Sequence, residues 1–93
     1  MDAVARLLAV EEIRALKARY FRTLDTKDWA AYQAVFAPDL VADFRDAAPV
    51  RDESQLTHGA AAYVAALAPM LDQVDTVHHG HMAEITIESA DAA

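Results

Sequence analysis

Three of the chain's four histidines, His78, His79 and His81, fall within the stretch from Asp75 to Glu88. An imidazole titrates near neutral pH, with an unperturbed pKa of about 6.5, so it carries protons where most side chains cannot. To serve as a base it needs an acid that fixes its tautomer, and Asp25 is the candidate. Such a pair removes a proton from a carbon beside a carbonyl, or from one opposite a leaving group. The outcome is isomerisation, dehydration or elimination with no cofactor. The plainer reading is that Asp25 only ends a helix and the histidines face water on a strand. The residues by themselves leave both open.

His79 and His81, at i and i+2, share one face of a regular strand and invite comparison with a metal site. A metal wants three or four ligands with their supporting shell, and no third partner is fixed by the sequence. No metal ligand is therefore assigned, and these two are read as residues of an outer face. His58, ahead of Gly59, belongs to the entry of a helix.

The elements that must position these groups follow from periodicity. Asp2 caps a helix running to about Thr23–Asp25. Within it Ala9, Val10, Ile13, Leu16, Tyr20, Phe21 and Leu24 fall in an arc of roughly 140°. Arg6, Arg19 and Arg22 lie opposite with Glu11 and Glu12. Lys17 sits inside the apolar arc, where a long stem can reach out to water. Asp25-Thr26-Lys27-Asp28 breaks the pattern. A short helix with Trp29, Tyr32, Val35 and Phe36 stops before Pro38. Leu40 to Arg45 alternates as a strand with one wet face.

Asp46 to His58, polar and containing Pro49, reads as a surface loop. An alanine-rich helix spans Ala60–Leu67, with Pro69 ending or kinking it. A long strand then runs from Asp75 to Glu88. Ala83, Ile85 and Ile87 point one way in it; Glu84, Thr86 and Glu88 point the other. Gly80 marks a bulge there.

The bulk numbers narrow the function classes. Ninety-three residues make one domain with a small core. A net charge of −7 argues against nucleic acid and against anionic membrane surfaces. The absence of cysteine removes disulfides and thiolate chemistry. The acidic start MDAVARLLAVEE does not suit a signal peptide, and no apolar run approaches a membrane span. A soluble cytoplasmic protein is the expectation.

With this order of elements in place, the chain resembles the SnoaL-like branch of the nuclear transport factor 2-like superfamily. Three pieces carry the likeness. The first is VEEIRALKARYFRTLDTKDWAAYQAVFAPDLVADF. The second is Gly59 opening the next helix as GAAAYV. The third is Thr76-Val77-His78-His79-Gly80-His81, followed by the alternating run from Ala83 to Ile87. The resemblance covers nearly the whole chain.

The resemblance implies an α+β, cone-shaped fold, with helices packed in the concave face of a curved, mostly antiparallel sheet. The cavity of such a cone binds small apolar molecules. Polyketide cyclases, scytalone dehydratase, a steroid isomerase and a dehydrochlorinase share it. Carried over to this chain, the catalytic histidine is His78 and the aspartate that holds it is Asp25. Tyr20, Phe21, Leu24, Trp29 and Met70 are the candidates to line the cavity and bind substrate, each equally an ordinary core residue. Tyr20 is also placed to donate a proton or polarise a carbonyl.

The activity implied is cofactor-free proton transfer, of lyase or isomerase type, on a small apolar or polycyclic organic substrate. No nucleic acid or membrane partner is implied. Family members continue through further strands beyond the point where this sequence ends. Residues 1–93 are therefore read as the N-terminal portion of the domain. A sheet ending there exposes an unpaired edge, which favours a homo-oligomer, a dimer or trimer. The alternative function is a non-catalytic module of the same fold that binds a small ligand or mediates dimerisation.

Overall fold

A computed structural model describes all residues, Met1–Ala93. Asp2 accepts a hydrogen bond from the Ala5 amide at 2.7 Å and starts helix α1, Ala3–Asp25. The helix ends in a Schellman turn. Lys27 takes the left-handed conformation at φ 56°, its amide reaches Leu24 O, and the Asp28 amide reaches Thr23 O. Asp28 then caps the short helix α2, Trp29–Gln33, through the Ala31 amide.

Strand β1, Val41–Asp43, pairs antiparallel with β2, Leu56–His58, in the register Val41 to His58, Ala42 to Thr57 and Asp43 to Leu56. The segment expected to be loop up to His58 therefore ends in a strand. A 3-10 turn, Glu53–Gln55, leads into it, capped by Asp52. Paired charges hold the connecting loop: Arg45 bonds Asp43 and Glu53, and Arg51 bonds Asp46 and Glu53.

Gly59, at φ 94°, turns the chain from β2 into α3, Ala60–Leu71, a conformation that favours glycine. The helix passes through Pro69 instead of stopping there. Proline costs a helix its bond to the carbonyl four residues back, here that of Ala65, an exposed residue.

The α+β class holds, with three helices and one two-stranded antiparallel sheet. The expected long strand from Asp75 to Glu88 does not form: these residues belong to no helix and pair with no strand. Alternation in sequence encodes which side faces the protein, and part of that survives. Ile85 and Ile87 are half-buried while Glu84, Thr86 and Glu88 are exposed. Alternation does not supply a neighbour to pair with.

Leu24, Tyr32 and Val64 form the core, with Tyr20, Trp29, Phe36, Tyr63, Leu67 and Leu71 packed against it. It sits where the C-terminal half of α1 meets α2 and α3. Val4, Leu7 and Leu8 on the other half of α1 stay exposed. Five buried hydrophobic residues make a small core, and the radius of gyration, 15.5 Å, exceeds the ~12 Å of a compact chain of this length. No helix is long and apolar enough to cross a membrane.

Candidate active site

Asp25 is the last residue of α1, and its neighbours leave its carboxylate free of local capping work. Thr26 turns its own hydroxyl back to Arg22 O at 2.7 Å, and Asp28 serves α2. The Asp25 carboxylate instead takes three bonds from the extended segment. Oδ1 accepts from the Thr76 hydroxyl at 2.8 Å and from His78 Nδ1 at 2.6 Å; Oδ2 accepts from the His78 backbone amide at 2.9 Å.

A carboxylate holding three donors prefers its charged form. The His78 amide and then the His78 ring lower the Asp25 carboxyl to about 2 with a lesser share from Thr76, against a cost of burial that outweighs the Thr76 share alone. Because an ionised carboxylate can only accept, Nδ1 of the neutral ring carries the hydrogen. That leaves the lone pair on Nε2. The His78 side chain is 38 % exposed, so the imidazole is open to a small molecule.

Phe21, one turn before Asp25, fixes the plane of that ring. Its own ring lies nearly parallel to the imidazole, 15° apart with centroids 5.8 Å away. The segment comes this close because residue 80 is glycine: a Cβ there would run into the Phe21 ring. Beyond Gly80 the segment continues antiparallel to α1, where Arg6 donates to Ile87 O at 3.1 Å.

Of the five residues expected to line a cavity, Phe21 alone stacks on His78. Tyr20, Leu24 and Trp29 belong to the core, Tyr20 meeting Phe21 edge-on at 5.4 Å. Met70 lies elsewhere, 72 % exposed at the rim of a hollow of about 540 Å³. Phe44, Gln55, Thr57, Tyr63 and Leu67 also line that hollow, while Asp25 and His78 do not. The reason is directional, since Met70 occupies the face of α3 turned toward the β1–β2 hairpin.

His79 and His81 are exposed and stack on each other, with centroids 6.4 Å apart and planes 14° apart. No group of three or more His, Asp or Glu side chains is arranged to hold a metal ion.

Sequence reasoning passed over Thr76 and misread Gly80. A hydroxyl two residues before a histidine on an extended run faces the same way, which was the available signal for Thr76. Gly80, expected to mark a bulge, instead permits close approach to the Phe21 ring.

A family model described as SnoaL-like domain matches residues 5–93. No solved structure gives a significant match.

Proposed function

Since the chain belongs to the SnoaL-like domain family, of the nuclear transport factor 2-like superfamily, we propose that it catalyses cofactor-free proton transfer on a small apolar substrate. His78 is the base and Asp25 its orienting partner. The observation that carries the reading is the 2.6 Å bond between Asp25 Oδ1 and His78 Nδ1.

In the proposed step, Nε2 takes a proton from an acidified carbon and the C–H bond breaks. Its electron pair passes into an adjacent carbonyl to give an enolate, or expels a leaving group on the neighbouring carbon. The imidazolium so formed lies against the Asp25 carboxylate, which stabilises its charge. Return of the proton to a different carbon completes an isomerisation; its transfer to a departing hydroxide completes a dehydration. Phe21 supports an apolar substrate body beside the ring.

The test is deuterium exchange at the α-carbon of small cyclic ketones in heavy water, followed by NMR. His78→Ala is expected to lower the protein-dependent rate by about 10²–10⁴-fold. His79→Ala and His81→Ala are expected to leave it within about twofold, because the reading gives neither ring a proton to carry. Equal exchange with the wild-type protein and His78→Ala contradicts the proposal.

The second reading, a non-catalytic association module, draws on the unpaired extended segment from Val74 to Glu88. Open backbone edges recruit strands from a second copy. Light scattering that reports a dimer or trimer, with no exchange activity, selects it.

A further inference from the structure

Lys17, Phe21 and Asp25 stand at i, i+4 and i+8 on α1, so their side chains rise along one ridge. The last of them holds His78, and the middle one stacks on its ring. The first places its ammonium over the same Phe21 ring, 5.5 Å from the centroid. Arg14, Lys27, Arg45 and Arg51 each have a carboxylate within ion-pair distance. Lys17 has none, as Arg6, Arg19 and Arg22 have none, but it is the cation that lies over Phe21, and it is exposed. An unpaired cation and the imidazole thus share contact with one aromatic ring.

We propose that Lys17 is an anion-recognising residue of the Asp25–His78 site. The substrate class is then a small aromatic or alicyclic molecule bearing a carboxylate or a comparable fixed negative charge. This rests on the proton-transfer reading of the site. A chain of net charge −7 repels such a molecule over most of its surface. Asp25 already spends its charge on Thr76 and His78. A local cation is therefore what lets an anion dock, and Lys17 and His78 both lie against the Phe21 ring. Proton removal adds negative charge to the substrate, so the same ammonium also favours the product of the first step.

The experiment compares two probes of one shape, 2-naphthoate and 2-naphthamide, by NMR titration of the His78 ring signals at low ionic strength. For the wild-type protein, naphthoate is expected to bind about tenfold more tightly. Lys17→Met, which keeps the apolar stem, is expected to abolish that preference with naphthamide affinity unchanged, and Lys17→Arg to retain most of it. Equal affinities in the wild-type protein, a preference that survives Lys17→Met, or failure of both probes to perturb His78 overturns the proposal. Binding is read here and not turnover. Failure with α-carbon exchange intact therefore removes the role of Lys17 and leaves the dyad standing.

Discussion

Asp25 and His78, 53 residues apart in the chain, meet through a 2.6 Å bond between Oδ1 and Nδ1. The same carboxylate holds the His78 backbone, so ring and main chain are fixed by one anchor. Loss of the anchor should release the segment as well as the tautomer.

Acid provides the first check. The Asp25 carboxyl sits at about 2 in the folded protein, below its ordinary 3.8. A carboxylate with a depressed folded value stabilises fully above the unfolded value, and its contribution disappears as pH falls toward the folded one. The His78 amide signal is therefore expected to show an acid transition centred near the folded value of about 2, while the stability that the ionised carboxylate lends is lost as pH falls from about 4 toward it. In Asp25→Asn that transition should vanish. A midpoint at the ordinary carboxylate value in the wild-type protein would contradict the hydrogen bonding described.

Thr76→Val removes one of the three donors at nearly constant volume. The Asp25 carboxyl should rise part of the way toward 3.8, by less than when the His78 ring is removed in His78→Ala. Carbon-13 titration of the side-chain carboxyl reads both. Equal titrations in Thr76→Val and the wild-type protein would show that the Thr76 hydroxyl is not bound there.

Gly80→Ala drives a methyl group into the Phe21 ring. Overpacking of this kind costs about 1–3 kcal/mol, and it should also displace Phe21 from under His78. Thermal unfolding and the ring-current shift of His78 measure the two effects. Combining Gly80→Ala with Phe21→Ala should recover stability relative to the sum of the single changes. Strict additivity would argue that the two residues do not touch.

Tyr32 tests the base on which α1 is held. Its side chain is fully buried, and its hydroxyl lies 3.1 Å from that of Tyr63. Burial, then the bond to Tyr63, raises the phenol well above its usual range, so it stays neutral at any working pH. Tyr32→Phe should cost about 1 kcal/mol, the net worth of one hydrogen bond. Tyr32→Ala should cost about 3–5 kcal/mol, because a large cavity opens in a small core. Urea unfolding distinguishes them, and a mild Tyr32→Ala would place the core elsewhere.

Part of this arrangement was legible in the residues. The 3.6-residue spacing from Ala9 to Leu24 fixed the buried side of α1, and Asp25 at its end is the residue that contacts His78. The alternation around Ile85 and Ile87 gave the correct inner side. Pairing was not legible, because alternation specifies a face and carries no information about a neighbour. β2 escaped notice for a related reason: three residues, Leu56–His58, are too few to show a period, and the polar approach hides them. The course of α3 past Pro69 was not legible because proline marks a helix end or a kink alike, and tertiary placement decides between them. Met70 was assigned to the site from its apolar character, while the face it occupies depends on how α3 packs.

The tautomer of His78 tests the central claim most directly. Nitrogen-15 NMR of the ring, at a pH where it is neutral, distinguishes hydrogen on Nδ1 from hydrogen on Nε2. Asp25 binding predicts the Nδ1–H form with an unprotonated Nε2, and a loss of that preference in Asp25→Ala. A wild-type ring protonated on Nε2 would contradict it, because the lone pair would then face the carboxylate and no base would face the substrate.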